Sequence, residues 1–560
     1  MKGRLYLQRP DLGQRVIARP ALIVFLGCLL LILTPALACN LPPRQAGGLA
    51  FPTRQPQPSS VIQPLPSSMI QPLPSIEATP LPTGSAIPAF TQISVQPSVS
   101  PYLFWGLQTA TPGEILPGVW GTPEPGTVLP PFTYWTQPGD TLSALMARFG
   151  VAPEQINPAQ PETGLLLPVQ HLAISNLLGE PAYPSALLPD SAIIYSPLAA
   201  SFNIEDYIAG AGGYLNTYQQ LVGTDEWLTG PEIIRRVAEQ TSVSPQVLLA
   251  FLEFRSGWVR GQPADPSRVD YPIGFYVPEY QGLYLELSLV AKQLNIGYYG
   301  WRQGTLTDLV FPSSTRVRIS PGLNAGSVAV QTLTSKFYRQ QQDWLAALYG
   351  PQGFLAVYTG MFGDPWLAAA NVEPLFPPDL AQPALELPFA SGESWSLTAG
   401  PHISWNTGTP PGALDFGPIT GEPPCVVSRA WVTASAPGLV VRSGNGVVAV
   451  DLDGDGLEQT GWVLVYMHIA DQGRVSTGTW VETDAPVGHP SCEGGHATGT
   501  NVHLARKYNG EWLAASGPLP LVLSGWVAHD GKLPYEGTLE KDGRVVSARP
   551  DGSAGSTITR

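Results

Sequence analysis

Charged residues are scarce in this 560-residue chain. They make up 13% of it, and Asp plus Glu (43) outnumber Lys plus Arg (29). No basic run alternates with aromatic residues, so the chain lacks the pattern of a nucleic-acid-binding surface. Beyond the N-terminus, no apolar stretch is long enough to span a bilayer. Since a single core rarely grows beyond roughly 250 to 300 residues, we expect several domains.

Cysteine is scarcer still, with four residues in the chain. Cys28 and Cys39 lie near the N-terminus, whereas Cys425 and Cys492 fall in the C-terminal part. In an exported protein, two cysteines within one domain favour a disulfide, and two separate buried thiols are the alternative. A bridge between Cys425 and Cys492 would brace the loop that precedes His503.

The N-terminus has the organisation of an export signal. Five basic residues precede an apolar run at 21–33, and small residues follow up to Cys39. We therefore assign residues 1–39 to targeting and exclude them from fold reasoning. Cys39 resembles the lipidated cysteine of bacterial lipoproteins, while cleavage with release, or an uncleaved anchor, are the alternatives. We expect an extracytoplasmic location at the bacterial surface, as a membrane-anchored lipoprotein or a secreted protein.

Proline is abundant, and much of it falls in residues 40–131 together with Gln, Ser and Thr. Such a segment cannot bury enough apolar surface to fold, and it favours extended polyproline II. At about 3.1 Å per residue it would reach on the order of 200 Å or more. We predict a disordered linker between the export signal and the first folded domain.

Residues 132–176 contain a strand-like start, the sequence Gly139-Asp140-Thr141-Leu142, an amphipathic helix through Phe149, a second short helix near 153–156 and a closing strand around 171–174. This arrangement resembles a LysM module, whose small βααβ fold binds N-acetylglucosamine in chitin or peptidoglycan. The resemblance implies glycan binding beside Gly139, Asp140, Thr141 and Leu142. A generic strand–turn–helix is the alternative, since Asp and Thr cap helices in many folds.

Residues 200–375 show apolar positions spaced by three and four, as at 231–238 and 244–258, which predicts a mainly α-helical middle domain. The helix that Ser244-Pro245 opens resembles the helix carrying the catalytic glutamate in lysozyme-like transglycosylases. That family has Glu directly before the Ser, where this chain has Arg255. Glu253 would be the candidate acid of a glycosidase. A helical spacer or a wall-binding domain is the alternative.

Histidine is also rare, and six of its seven residues follow position 400. Three C-terminal residues, His402, Asp415 and His503, have the ligand types of a zinc site. Imidazole nitrogens and a carboxylate oxygen suit Zn²⁺, and three protein ligands leave a fourth tetrahedral position for a water. The sequence therefore suggests the metal site of a zinc hydrolase.

At these positions the sequence resembles the lysostaphin/LytM class of zinc metalloendopeptidases, and most closely its beta-lytic branch. A long glycine-rich loop separates His402 from Asp415, His468 follows an aromatic strand, and His503 ends a motif that is His-x-His in the family. The resemblance implies zinc ligation by His402, Asp415 and His503, and catalytic positions at His468 and Asn501. Asn501 departs from the family, which carries its other catalytic histidine there.

The resemblance places a peptidase domain at residues 395–545. Valine-rich alternation with Gly and Asp-Gly turns predicts antiparallel all-β structure in strands near 431–435, 438–442, 447–452, 462–468 and 501–507. On a strand, residues 501 and 503 project from the same face, so they would share one pocket. The acidic segment from Asp451 to Asp455 resembles half of a calcium loop, yet a hairpin turn is favoured because position twelve would be Trp462.

We expect a surface-tethered zinc endopeptidase that acts on peptidoglycan, with the LysM-like module holding glycan while the C-terminal domain cleaves wall peptides. His468 would supply proton transfer or stabilise the oxyanion, and His496 is either a substitute base or an ordinary loop residue. Asn501 cannot act as a base, so the rival hypothesis is a degenerate peptidase that binds peptidoglycan or regulates another hydrolase.

Overall fold

In a computed structural model of the chain, residues 108–112, 129–265 and 268–560 are described. They belong to one compact unit, Gln92–Arg560. The predicted export signal with Cys39 lies outside the described residues, and so does most of the predicted linker at 40–131. Within the described ranges, no helix combines the length and the apolar character needed to cross a membrane.

The first folded segment has the predicted order of elements. Strand β1 (Phe132–Trp135) leads to helix α1 (Leu142–Phe149), and strands β2 (Ile156–Asn157) and β3 (His171–Ile174) complete a three-stranded antiparallel sheet in the order β1–β3–β2. The predicted second helix is a short 3₁₀ turn, Pro153–Gln155. The Thr141 side chain caps α1 by accepting a hydrogen bond from the Ala144 N–H. Membership of the LysM family stays a prediction.

The middle of the chain is mainly helical, as expected. Its helices are α2 (Asp190–Ile193), α3 (Ile204–Ala211), α4 (Gly230–Thr241), α5 (Pro245–Ser256), α6 (Leu283–Arg302), α7 (Ala325–Ser335), α8 (Gln341–Tyr349), α9 (Phe354–Phe362) and α10 (Pro365–Ala369). Two small hairpins interrupt them, β4 (Gln219–Val222) with β5 (Glu226–Thr229) and β6 (Asp308–Val310) with β7 (Arg316–Arg318).

The local sequence explains the bounds of α4 and α5. Thr229 and Glu232 form a capping box at the start of α4, and Pro245 occupies the first turn of α5, where no N–H is needed. Gly257 ends α5 in the left-handed conformation at φ 67°. Both helices that the sequence predicts most clearly are therefore present with their predicted starts.

The C-terminal part is antiparallel all-β, as predicted. Its strands are β8 (Ser394–His402), β9 (Ala413–Pro418), β10 (Val432–Thr433), β11 (Gly438–Gly444), β12 (Val447–Asp451), β13 (Trp462–Met467), β14 (Trp480–Val481), β15 (Pro486–Gly488), β16 (Val502–Tyr508), β17 (Glu511–Trp512), β18 (Val522–Leu523), β19 (Trp526–Asp530), β20 (Gly537–Lys541), β21 (Arg544–Ser547) and β22 (Thr557–Thr559).

The main sheet runs β14–β11–β12–β13–β16–β9–β8–β22, with β17 paired to β16. Strands β18 to β21 form a second sheet. The predicted end of this domain at residue 545 is too early, because β22 pairs with β8 and buries Ile558 completely.

Both faces of the main sheet are buried. Along β13, Leu464 and Tyr466 face a core made within the C-terminal part, whereas Val463 and Val465 face a core shared with the helices. A strand covered on both faces is apolar at every position, which is what β13 shows. The helical domain and the sheet therefore share one continuous hydrophobic core.

Arg302, the last residue of α6, joins three parts of the chain. Its side chain is 9% exposed and lies 3.0 Å from Asp190 Oδ2 and 3.3 Å from Glu511 Oε2. It also donates a hydrogen bond to the Pro138 carbonyl in the loop before α1. Tyr298 donates to Glu511 at 2.8 Å. These bonds tie the first segment, the helical domain and the sheet together.

Candidate metal centre

Three neighbouring strands bring His402, Asp415 and His503 together. His402 ends β8, Asp415 lies in β9 and His503 lies in β16, and the order β16–β9–β8 makes these strands adjacent. In the register, Asp415 is the Cα partner of His503. Residues 101 positions apart in the sequence therefore converge on three adjacent strands of the sheet.

The potential ligand atoms of these residues nearly touch. His402 Nε2 lies 3.0 Å from His503 Nδ1, and Asp415 Oδ1 lies 3.3 Å from the former and 3.2 Å from the latter. All three residues are buried. The arrangement is a compact, triangular donor set.

Backbone carbonyls fix which ring nitrogen of each histidine faces this set. His402 Nδ1 donates to Gly400 O at 2.9 Å, and His503 Nε2 donates to Ser404 O at 2.9 Å. Each neutral imidazole then presents a lone pair from its other nitrogen. Two nitrogen lone pairs and a carboxylate oxygen thus face one point.

This donor set fits a zinc ion. Ligand atoms about 2.0 to 2.1 Å from a tetrahedral zinc lie roughly 3.3 Å apart, close to the separations found here. Asp415 Oδ1 is buried and has no hydrogen-bond partner of its own, and such an orphaned anionic oxygen requires a positive neighbour. Both the chemistry and the spacing therefore suit Zn²⁺.

The electrostatics agree with a cation site. Burial acts to raise the pKa of Asp415, but His402 and His503 outweigh it and hold that pKa well below its usual range. Burial acts to lower the pKa of His402, yet the Asp415 carboxylate raises it overall. The site thus keeps its carboxylate ionised and favours positive charge beside it.

The backbone next to His402 packs closely against a neighbouring loop. A Cβ on Gly400 would lie 2.5 Å from the Glu536 carbonyl oxygen, so only glycine fits beside the neighbouring loop. From that loop, the Tyr535 ring stacks on the His402 imidazole with centroids 4.6 Å apart. Tyr535 was not singled out by the sequence, because an aromatic residue in a loop 133 positions away carries no motif.

His468 lies beside the triad in an unusual backbone conformation. Its φ is 64°, a left-handed value that is costly for a residue with a Cβ and is common at functional sites. His468 Nδ1 donates to Glu493 O at 2.9 Å, which leaves Nε2 as the acceptor of the neutral ring. Burial is the main cause that lowers the pKa of His468.

Asn501 directly precedes β16. It forms a bridge with Ser491, and its Oδ1 is buried without a hydrogen-bond partner. As predicted from the alternation, Asn501 and His503 line one cavity. The amide can donate or accept a hydrogen bond but cannot take a proton.

The cavity that contains these five residues has a volume of about 740 Å³ and opens to solvent. Besides them it is lined by Ile403 and Trp405, by Tyr535, and by the loop 495–500, which includes His496. His496 is exposed. Such a cavity is large enough for a small ligand to reach the candidate metal ligands.

A disulfide between Cys425 and Cys492 holds the base of the loop 493–500, which confirms the predicted pairing. Thr500 donates to the Val426 carbonyl at 3.1 Å and so ties the other end of the loop to the same segment. The loop therefore stands as a braced wall of the cavity.

The loop predicted to bind glycan lies against the helical domain. In the proposed glycan-binding loop, Asp140 and Leu142 are buried while Gly139 and Thr141 are partly buried. Asp140 pairs with the buried Arg148 at 2.8 Å. A Cβ on Gly139 would lie 2.3 Å from the Arg302 guanidinium, so the helical domain covers this loop.

Glu253 has a structural role. Its oxygens accept hydrogen bonds from the N–H groups of Val259 and Arg260, at 3.0 and 3.1 Å, and from Arg260 Nε at 3.0 Å. Both carboxylate oxygens are thus occupied by the turn that follows α5. The glycosidase hypothesis centred on Glu253 therefore has no support in this geometry.

The acidic segment is the connection between the paired strands β12 and β13, as the favoured hairpin hypothesis predicts. Asp451 is fully buried and accepts hydrogen bonds from the N–H groups of Asp453 and Gly456. Burial and the neighbouring carboxylates raise the pKa of Asp451 to about 6. Asp451 thus serves to shape the turn.

Two sequence comparisons identify relatives. A protein-family profile described as "LasA, N-terminal domain" matches residues 186–376, which enclose the predicted helical domain. Protease LasA of Pseudomonas aeruginosa strain PAO1 is 26% identical over 368 residues, which cover 61% of this chain and 79% of that protein. Protease LasA of strain UCBPP-PA14 matches with the same identity and coverage.

Solved structures give weaker similarities. The deep-sea M23 metalloprotease pseudoalterin matches with a TM-score of 0.26 and 23% identity, over 30% of this chain and 96% of that one. The antimicrobial peptidase lysostaphin from Staphylococcus simulans matches with a TM-score of 0.17 and 16% identity, over 31% of this chain and 81% of that one. Both TM-scores lie below 0.5, so neither similarity adds to what the sequence relatives support.

The sequence relatives and the donor set point to the same kind of protein. The similarity to Protease LasA covers 79% of that protein, and this chain places a buried two-histidine, one-carboxylate cluster in an open cavity. The chain is similar to Protease LasA and is an enzyme of the metalloendopeptidase type.

Proposed function

We propose that this chain is a bacterial cell-wall zinc metalloendopeptidase that hydrolyses the cross-link peptides of peptidoglycan. The observation that carries the proposal is the convergence of His402, Asp415 and His503, with both ring tautomers held by backbone carbonyls, in a cavity that also contains His468. Small, glycine-containing wall peptides are the substrate class that the sequence resemblance implies.

His402 Nε2, His503 Nδ1 and an Asp415 oxygen would hold the zinc. When bound, zinc supplies Lewis-acid chemistry, which polarises a peptide carbonyl and makes a water more acidic. Gly400 O and Ser404 O keep the two imidazoles oriented, and the buried carboxylate supplies the negative charge that favours a dication.

His468 is the group placed to move a proton. Its Nδ1 is committed to Glu493 O, so Nε2 accepts a proton from the attacking water and returns it to the leaving amide nitrogen. Because burial lowers the pKa of His468, the ring is neutral near pH 7 and ready to accept. The centroid of the His468 ring lies 6.1 Å from that of the His503 ring.

Asn501 binds and orients without moving a proton. Its unpartnered Oδ1 can accept the N–H of a substrate peptide, and its Nδ2 can donate to a carbonyl. Proton transfer then depends on His468 alone. Since general acid–base help is worth about 10²- to 10⁴-fold, we expect turnover slower than that of a two-histidine site.

The rival function is a degenerate peptidase that binds peptidoglycan or regulates another hydrolase. Asn501 is the observation that favours it, because the cavity holds only one histidine besides the ligands and the exposed His496. Retention of zinc without hydrolysis of any wall substrate would be its signature.

Release of new amino groups from purified peptidoglycan tests the proposal, using the zinc-loaded full chain. Asp415→Ala should lower the rate by more than the roughly 10- to 100-fold that outer-shell changes cost, because it removes a ligand. The exposed Asp379→Ala is the matched control and should behave as wild type. Equal rates for wild type and Asp415→Ala would refute the metalloendopeptidase assignment.

Asn501→His separates the proposal from its rival. If the wild type is an enzyme, it releases amino groups, and the histidine variant is faster by up to about 10²-fold because a second base is present. Asn501→Ala, which removes the amide without adding a base, is the control. A silent wild type that binds zinc and gains activity only as Asn501→His would establish the rival function.

Attachment to the wall and the membrane is part of the proposal. We place glycan binding at Gly139, Asp140, Thr141 and Leu142, membrane attachment at Cys39, and the protein outside the cytoplasm. Support for these roles comes from the sequence pattern, and glycan binding at the buried loop further requires that the loop separate from Arg302. Retention of the Arg302→Ala variant on insoluble chitin, compared with wild type, tests whether that contact limits binding.

A further inference from the structure

The helical domain touches the loop that connects two of the proposed metal ligands. This metal loop, residues 403–412, connects His402 to Asp415, and its turn rests on helix α6. A Cβ on Gly408 would lie 2.9 Å from the Lys292 carbonyl oxygen and 3.0 Å from Ile296 Cγ1. Gly408 has a φ of 111°, so glycine meets both the conformation and the close approach.

A second contact joins α6 to the same loop through β17. The Tyr299 hydroxyl accepts a hydrogen bond from the Trp512 N–H at 2.9 Å. The Trp512 ring, which is 1% exposed, stacks on Trp405 of the metal loop with centroids 6.3 Å apart. Two different positions on one helix thus hold two positions of one loop.

Internal hydrogen bonds make the metal loop stiff. Ser404 N–H donates to Pro410 O at 3.0 Å, and the Ser404 hydroxyl donates to the same oxygen at 2.9 Å. Trp405 N–H donates to Thr409 Oγ1 at 3.1 Å. A displacement at Gly408 is therefore transmitted to Ser404 instead of being absorbed between them.

Ser404 is the link to the metal centre. It is fully buried, and its carbonyl accepts the hydrogen bond from His503 Nε2 that leaves Nδ1 free to ligate. Outer-shell partners of this kind fix the ring tautomer and its direction, and their loss typically costs 10- to 100-fold in metal affinity. The position of Ser404 O thus controls the His503 ligand.

We propose that helix α6 of the helical domain, through Ile296 and Tyr299, positions the metal loop and its Ser404 carbonyl, so that the helical domain is a working part of the zinc site. Ile296 and Tyr299 are positioning residues and touch neither substrate nor metal. The proposal rests on the proposed zinc site and extends it to a domain that contributes no ligand.

Zinc affinity of the full chain, measured by competition with a chromophoric chelator, tests the proposal. Ile296→Ala should weaken zinc binding by roughly 10-fold, and Ile296→Val should restore most of the affinity. Tyr299→Phe keeps the ring but removes the acceptor of the Trp512 N–H, and should weaken binding in the same direction. Leu285→Ala, an apolar residue in the first turn of α6 that is 38% exposed, is the control and should match wild type.

The absorption spectrum of the cobalt-substituted proteins gives a second readout, since it reports ligand geometry at the metal. Ile296→Ala and Tyr299→Phe should shift the spectrum, while Leu285→Ala should not. Wild-type affinity and wild-type spectra in both variants, with the apoprotein folded, would overturn the proposal. If Ile296→Ala does not fold, Ile296→Val and Tyr299→Phe decide the matter in the same assay.

Failure of this proposal differs from failure of the proposed function. A wild type that binds zinc and responds to the α6 variants, but releases no amino groups from peptidoglycan, leaves the positioning role standing and removes the endopeptidase. Amino-group release with variants indistinguishable from wild type removes the positioning role alone.

Discussion

Each histidine of the candidate metal centre has one ring nitrogen bonded to a backbone carbonyl, which determines its tautomer. Gly400 O and Ser404 O take the N–H groups of His402 and His503, and Glu493 O takes that of His468. The sequence predicts which residue types are candidate ligands, because imidazole and carboxylate suit zinc. It does not predict the tautomers, since the three acceptors are main-chain atoms that only the fold brings into reach.

Glu373 is a partly buried acid outside the candidate metal centre whose protonation should affect stability. Burial and the nearby Asp190 raise the pKa of Glu373 to about 7, while Ser191 donates two hydrogen bonds to it at 2.9 Å. Because the folded-state pKa exceeds the ordinary value of about 4.3, the folded protein holds this proton more tightly than the unfolded chain. The stabilisation of the folded state by protonated Glu373 is complete below about pH 4 and is lost as the pH rises through about 7.

Between pH 4.5 and pH 8, we expect Glu373 to lower the free energy of unfolding of the wild type by up to about 3 kcal/mol. Glu373→Gln imitates the protonated acid, so this variant should not show that decrease. Urea unfolding of wild type and variant across this range measures the difference, which should favour the variant increasingly as the pH rises. The exposed Glu180→Gln is the control. A constant difference between wild type and Glu373→Gln would contradict the prediction.

At the scale of elements, periodicity predicted α4, α5 and the strands β11, β12, β13 and β16 to within a few residues. These elements combine strong apolar patterns with clear caps or turns, so local preference and tertiary packing agree. The predicted second helix after α1 is only a 3₁₀ turn, because Pro153 begins it and β2 follows at once. The end of the sheet domain was also missed, since the pairing of β22 with β8 joins residues 161 positions apart (Ser396 and Thr557) and leaves no local signal.

The loop 493–500 depends on its disulfide. Cys425 and Cys492 close a loop of 67 residues, and such a crosslink stabilises a protein by roughly 4 kcal/mol in the chain-entropy description. We predict that the double variant Cys425→Ser, Cys492→Ser lowers the free energy of unfolding by about 2 to 4 kcal/mol. Denaturant unfolding of the apoprotein measures it. An unchanged midpoint would show that contacts such as Thr500 to Val426 O hold the loop without the crosslink.

At the scale of the whole molecule, the described domains form one packed body rather than modules joined by a linker. One face of the main sheet shares its core with the helices, and Arg302 bridges the α1 loop, α2 and β17. The loop expected to bind glycan lies in this interface. The described segments are therefore not independent of one another.

We predict that Arg302→Ala destabilises the whole body by about 3 to 5 kcal/mol, because it leaves the buried carboxylates of Asp190 and Glu511 without their cation. Thermal and urea unfolding followed by tryptophan fluorescence measure the effect. Arg316→Ala removes an exposed arginine and is the matched control. A loss below about 1 kcal/mol, the range of surface ion pairs, would mean that the three parts hold together without Arg302.

The sequence by itself determined the residue types of the centre, the helical and β regions and the cysteine pair, because each of these follows from side-chain chemistry or from short-range periodicity. Only the tertiary structure decided that β13 is buried on both faces, that the loop predicted to bind glycan is covered, and that α6 contacts the metal loop. Those facts depend on contacts between residues one hundred or more positions apart, whose distances are set by the packing of one domain on another.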